Sequence, residues 1–258
     1  MEGLIIVEYF VFVLFEPLRS ADPPINSGKI FVAKNIKTAE AAKVIENTQR
    51  DINVAFINEI TKLFKKININ IYDVLKTAGT KWNFLNFKPG FVGGHCIGVD
   101  PYYLAYLAKK KKVEPNLILS GRKVNNNFPI FLAKYISNYI SKKNKILVLG
   151  LTFKENVNDL RNTKVVDLIS SLKKKGHKVY VNDPCAYENE AKKMDLNLTS
   201  LSKKDKYDTI ILAVAHDSYK KLNYSFFNKK LNKNGKIFDL KAILKNKKFP
   251  KGIEYIIL

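Results

Sequence analysis

The sequence predicts an α/β chain in which an all-helical part precedes a parallel, doubly wound sheet. Two patterns predict it. Within residues 38–66, Ala41, Val44, Ile45, Ile52, Ala55, Phe56, Ile60 and Leu63 recur at helical spacing, giving one apolar face that must pack against another element. From about residue 143 onward, short apolar runs alternate with helical stretches: 145–150, 177–182, 209–214 and 236–240 read as strands, and 163–175 as an intervening helix. That alternation implies parallel strands covered on both faces. Such sheets bind ligands at the carboxyl ends of their strands, often near a helix N-terminus that favours phosphate. With 258 residues and 46% hydrophobic content, the chain can build two modest cores.

Taken in order, residues 1–26 hold the apolar run 4–15, which Glu8 interrupts. It is shorter than the roughly 20 residues a bilayer span takes, and no basic n-region or small-residue cleavage site marks a signal peptide. A tail this apolar would be an aggregation risk if exposed. The long helix that follows takes Thr38 as its N-cap and Glu40 in its first turn. Lys43 and Asn47 lie four apart, so an ammonium and an amide share one face, able to grip the same oxygen or the same water. A solvated surface is the competing reading of that pair.

The run Pro89-Gly90-Phe91-Val92-Gly93-Gly94-His95-Cys96-Ile97-Gly98-Val99-Asp100-Pro101 sets one thiol in a glycine-rich turn, with a carboxylate four residues on and a helix starting after Pro101. A lone cysteine is most often a small buried hydrophobe. The glycines argue instead for a covalent site, because Gly90, Gly93 and Gly94 let the backbone come close to a ligand beside the thiol. His95 takes no catalytic role here: in so tight a turn its ring can face the thiol or point away. Upstream, residues 82–88 offer aromatic surface and amides, with Trp82 read as a packing anchor. Downstream, Ser120-Gly121-Arg122-Lys123-Val124-Asn125 places a guanidinium fork suited to hydroxyls and phosphate, in a chain whose arginines are Arg19, Arg50, Arg122 and Arg161.

A formal charge of +22 raises nucleic-acid binding as a rival. It ranks low, because the lysines are spread along helix ends and loops, as at 109–112, 173–175 and 245–248, with no recognised nucleic-acid module. The same field attracts anionic ligands in general. Cys96 and Cys185 are the only thiols, so no disulfide framework exists and a reducing cytoplasm is expected. Cys185, after Asp183-Pro184, sits in a turn with no assigned role, and no metal site is expected.

The run from Pro89 to Leu104 resembles the catalytic loop of the UDP-glucose/GDP-mannose dehydrogenase family, which oxidises nucleotide-sugar alcohols to uronic acids. The form Pro-Gly-Phe-Val-Gly-Gly-His-Cys-Ile-Gly-Val-Asp-Pro-Tyr-Tyr-Leu is most similar to the branch acting on UDP-N-acetylhexosamines, UDP-N-acetylgalactosamine dehydrogenases in particular. The loop from Leu151 to Thr163 resembles that family's C-terminal nucleotide-binding signature. The resemblance implies a central all-helical dimerisation domain at 28–140 and a Rossmann-like parallel α/β UDP-binding domain at 141–258, behind an unrelated or disordered tail at 1–27.

By the same resemblance, Cys96 forms a thiohemiacetal and then a thioester, Lys43 and Asn47 stabilise the oxyanion at the sugar C6, and Asp100 assists the hydrolytic water. Phe84, Leu85, Asn86 and Gly93 line the substrate, and Arg122 reaches the sugar, across the dimer in some members. Phe153 packs near the ligand or covers the sheet edge. Lys154 contacts the UDP moiety or nearby catalytic groups, and Lys241 lines the diphosphate. Asp159 and Arg161 shape their loop by an ion pair, with Arg161 also on the cofactor side. The cofactor implied is NAD. Its Gly-x-Gly-x-x-Gly fingerprint does not occur before Lys34, so the NAD-binding domain is expected to be missing. The expected partners are a UDP-N-acetylhexosamine and a second copy through the central helix, in the cytoplasm, with neither nucleic acid nor membrane. A catalytically silent UDP-sugar-binding or dimerisation module is the alternative function.

Overall fold

The computed structural model describes residues 33–141 and 143–258, so the expectations for 1–27 lie outside the described residues. Four helices come first: α1 (Ile36–Lys66), α2 (Ile71–Ala78), α3 (Asp100–Lys110) and α4 (Asn116–Tyr139). A five-stranded sheet follows, with β1 (Lys145–Leu149), β2 (Lys178–Asn182), β3 (Tyr207–Leu212), β4 (Leu231–Asp239) and β5 (Glu254–Ile257). Between strands lie α5 (Val165–Lys174), α6 (Glu188–Lys192), α7 (Asp217–Lys220) and α8 (Tyr224–Lys230).

The strands run parallel in the order β2-β1-β3-β4-β5. The chain therefore leaves β1 in one direction toward β2 and returns to the other side at β3. The switch point between β1 and β3 opens a crevice at their carboxyl ends. Alternate residues of β1 feed two cores. Ile146 and Val148 face a core shared with Phe128, Leu132 and Ile136 of α4, while Leu147 and Leu149 face Ile210, Leu212 and Phe227. The first core runs without a break from the sheet into the helices, reaching Ile57 of α1 and Ile71 and Leu75 of α2. An aromatic ladder of Phe91, Phe128, Phe131, Tyr135 and Phe238 reinforces that junction.

Two expectations about α1 are corrected. Its N-cap is Asn35, whose side chain accepts from the Thr38 N–H at 2.9 Å and from its hydroxyl at 3.0 Å. Its inward face is also largely polar: Asn47, Thr48, Asp51, Asn58 and Thr61 are buried beside Ala55 and Ile57, whereas Ile45, Phe56 and Leu63 are exposed. The spacing of apolar residues is real, but Asn47, Asp51, Asn58 and Thr61 have partners that no periodicity reveals. Trp82 is likewise no packing anchor, being 96% exposed. Among the described residues no helix is long and apolar enough to cross a membrane.

Candidate active site at the cysteine loop

Gly90 opens the loop with both main-chain groups held by Asn58: its N–H donates to Oδ1 at 2.9 Å and its carbonyl accepts from Nδ2 at 3.0 Å. Phe91 then meets Phe128 edge-on, and Val92 is buried. At Gly94 the backbone takes φ +78°, and the Phe153 ring lies so close that an added Cβ would sit 2.9 Å from Cε2. Phe153 thus covers the cysteine loop rather than a sheet edge. Asn162, from the same β1 loop, donates to the Gly94 carbonyl at 3.2 Å. The helical part and the sheet therefore build one site together.

Cys96 follows as a free, half-buried thiol. Its carbonyl accepts the N–H groups of Val99 and Asp100, both at 2.9 Å, which closes the turn and starts α3 with Pro101 in its first turn. Asp100 then receives the Asn47 amide at Oδ2, 2.5 Å away. So the fold unites Asn47 of α1 with the carboxylate that follows Cys96. Lys43 turns instead to Glu46, at 3.3 Å, and Glu46 also binds Arg50.

Arg122 is 2% exposed and pairs with Asp51 at 2.5 Å, with Asn126 Oδ1 at 2.7 Å on its other nitrogen and the Tyr102 ring beneath it. Within one chain both terminal nitrogens of its fork are held by protein, and Nε is left without a partner. Burial pushes the Asp51 carboxyl up, and Arg122 and Asn125 act against that rise.

Next to the loop, a pocket of about 290 Å³ is lined by Tyr72, Asn86, Lys76, Lys88, Lys241 and Lys245, among others. Four lysines around one pocket make an anion site. Lys241 stands 2.7 Å from the point where a Gly90 Cβ would be. Burial pushes its ammonium down against the pull of Glu155, and Lys88 adds to the fall. An arriving anion relieves both effects. Asp239 shapes this turn by accepting from the main-chain N–H groups of Lys241 at 3.1 Å and Leu244 at 2.8 Å. Lys241 also borders a second, smaller hollow at the β1/β3 switch point, with Gly93, Thr152, Phe153 and Val214. Of the expected upstream contacts, Asn86 lines the larger pocket, Phe84 packs on the core and Leu85 is exposed.

On the β1 loop, Lys154 is exposed, and Arg161 grips Asp159 through Nε and a terminal nitrogen at 2.6–3.0 Å. That ion pair holds the Asp159 carboxyl below its ordinary range, helped by nearby His95. The loop is anchored by a cluster that sequence reasoning missed. Asp183 accepts from the N–H of Leu151 at 2.6 Å, that of Thr152 at 3.0 Å and His216 Nε2 at 3.0 Å, and the Asn156 N–H donates to His216 Nδ1 at 3.0 Å. These partners assign the ring proton to Nε2. Asp183, Cys185 and His216 bring ligand-type atoms within 4.8 Å, but the carboxylate and imidazole are already engaged by protein partners. Burial and Asp183 push the Cys185 thiol up, the opposite of an activated nucleophile.

Residues 37–127 match the central domain of the UDP-glucose/GDP-mannose dehydrogenase family, and residues 147–246 match its UDP binding domain. The chain belongs to this family. Protein CapL of Staphylococcus aureus is 48% identical over 220 residues, covering 82% of this chain and 51% of its own length. The UDP-N-acetyl-D-glucosamine 6-dehydrogenase of Pseudomonas aeruginosa is 43% identical over 219 residues, covering 82% and 52%. Among solved structures, the UDP-N-acetyl-mannosamine dehydrogenase Cap5O from S. aureus superposes with a TM-score of 0.72 at 30% identity, covering 88% of this chain and 52% of that one. The chain thus spans about half the length of the curated relatives it matches. The helical part followed by a parallel sheet is the dehydrogenase-family architecture that the motifs implied.

Proposed function

We propose that this chain carries the substrate-holding and covalent part of an NAD-dependent UDP-N-acetylhexosamine 6-dehydrogenase. The observation that carries the reading is the meeting of Asn47 with Asp100 at 2.5 Å, four residues past Cys96 and beside a lysine-lined pocket. The diphosphate lies among Lys88, Lys241 and Lys245, with Asn86 at the pocket wall and Lys154 at the β1 loop. The Cys96 sulfur adds to the C6 aldehyde, forming a C–S bond while the carbonyl oxygen takes a proton. On the thioester that NAD oxidation of this adduct would give, a water attacks the carbonyl carbon, Asp100 accepts its proton and the Cys96 thiolate leaves, giving the carboxylate. Lys43 and Asn47 steady the oxygen that carries the developing charge.

Oxidation of an alcohol to an acid removes two hydrides, which NAD accepts in this family. Among the described residues the turn after β1, Gly150-Leu151-Thr152-Phe153, is no Gly-x-Gly-x-x-Gly cradle and does not fit a dinucleotide pyrophosphate. Arg161 is the cofactor-side candidate. The N-acetylated hexosamine fits the glucosamine and mannosamine enzymes among the relatives, and the loop form adds galactosamine. A second copy of this chain covers the exposed apolar face of α1 left by Ile45, Phe56 and Leu63.

Calorimetric titration with UDP-N-acetylgalactosamine, UDP-N-acetylglucosamine and UDP-glucose, followed by an NADH assay, tests the reading. Binding of an N-acetylated sugar nucleotide supports it, with or without turnover by this chain. Absence of binding to all three refutes it.

A further inference from the structure

Asn58 is completely buried on the inward face of α1, between Ile57 and Thr61. An amide there must satisfy donors and acceptor without bulk water. It does so on a backbone, pairing with both the N–H and the carbonyl of Gly90, and its second Nδ2 proton goes to Asn125 Oδ1 at 2.9 Å. The orientation of that amide is dictated from behind. Asn125 spends its own Nδ2 on the Asp51 carbonyl at 2.9 Å and on Asp51 Oδ1 at 2.7 Å, so its Oδ1 faces Asn58 and requires a donor. Asp51 is held in turn by Arg122 at 2.5 Å. A buried chain thus runs from an ion pair to the residue that opens the cysteine loop.

Gly90 is where that grip matters. Lys88, two residues earlier, lines the anion pocket, and the Lys241 ammonium stands 2.7 Å from where a Gly90 Cβ would be. We propose that Asn58 is a positioning residue whose pairing with both main-chain groups of Gly90 fixes where Lys88 and Lys241 stand around the anion pocket, with Asn125 and the Asp51–Arg122 pair holding its amide in the required orientation. Its effect on ligand binding rests on the anion-pocket reading above; the clamp on the loop does not. Few side chains can serve. Leucine of similar size offers neither donor nor acceptor, and aspartate keeps the acceptor for the Gly90 N–H but sets an anionic oxygen against the Gly90 carbonyl and Asn125 Oδ1.

The test compares the full chain with its Asn58→Ala and Asn58→Asp variants by three readouts: melting temperature, hydrogen exchange of the amides of residues 88 and 90–92, and calorimetric titration with UDP. At neutral pH both variants exchange faster by about tenfold or more at 88–92 while the sheet stays protected, and UDP affinity falls by about tenfold. Acidification restores protection in Asn58→Asp alone, because a protonated carboxyl can again donate to the Gly90 carbonyl. If the alanine variant fails to fold, the aspartate variant is read by itself. A lowered melting temperature with exchange at 88–92 and UDP affinity unchanged overturns the proposal, leaving Asn58 a packing residue. Faster exchange in the variants of a wild type that takes no UDP upholds the clamp and refutes the pocket reading. Faster exchange with UDP affinity unchanged overturns the positioning role.

Discussion

Asn47 donates its side-chain amide to Oδ2 of Asp100 at 2.5 Å, joining α1 to the first turn of α3 across 53 residues of sequence. Asn47 is buried and Asp100 half-buried, so the bond ties the end of the cysteine turn to the longest helix. A hydrogen bond to a charged group contributes about 1.5–3 kcal/mol. Asn47→Ala should therefore lower unfolding free energy by about 2 kcal/mol in a urea titration, and Asn47→Asp by more, since two carboxylates would then face each other.

The Arg122–Asp51 pair is buried on both sides, and Asp51 Oδ2, Arg122 Nε and Thr48 Oγ1 form no hydrogen bond. Removing one partner of such a pair costs about 3–5 kcal/mol, whereas replacing both by apolar residues is often neutral. Arg122→Leu should destabilise by that amount, and Arg122→Leu with Asp51→Leu should recover most of it. A double mutant as unstable as the sum of the singles would refute an energetically coupled pair.

Asp183 sets an acid limit. Burial alone raises its carboxyl, but His216 and the N–H groups of Leu151, Thr152 and Cys185 outweigh it and bring it down to about 2. A carboxyl lower in the folded state than its ordinary 3.8 stabilises above that value, and the stabilisation is lost as pH falls through about 2. The difference corresponds to about 2 kcal/mol. Guanidine titrations between pH 5 and 2 should show this loss, and Asp183→Asn should flatten it while lowering stability at pH 7.

Gly150, with φ +99°, ends β1 so close to β3 that an added Cβ would stand 2.4 Å from Val214 Cβ and 2.7 Å from its main-chain nitrogen. Backbone strain and overlap each cost about 1–3 kcal/mol. Gly150→Ala should lose roughly 3 kcal/mol or more, measured by thermal melting, and should distort the switch-point hollow.

The strands β1 to β4 were legible because apolar runs between turn signals have one simple meaning in an alternating chain. β5 was not: Glu254-Tyr255-Ile256-Ile257 is a short, half-buried edge strand whose pairing with β4 supplies what its sequence lacks. Cys96, Asn47 and Asp100 could be named from their motifs, and the fold joins the last two. Asn58, Asp51 and Asn162 could not, because each acts on a backbone or a partner distant in sequence. The partner of Arg122 was out of reach for the same reason, since Asp51 lies 71 residues away. Trp82 shows the converse limit: size alone does not bury a side chain on a loop.

If Cys96 faces the sugar of a UDP-linked substrate, as proposed, the bound substrate shields its thiol from alkylation. The chain is treated with iodoacetamide with and without saturating UDP-N-acetylglucosamine, and adducts at Cys96 and Cys185 are counted by mass spectrometry. The sugar nucleotide should slow alkylation of Cys96 at least tenfold, leave Cys185 unaffected, and lose its protection in Lys241→Ala. Equal alkylation of Cys96 with and without a sugar nucleotide shown by calorimetry to be bound would contradict that placement.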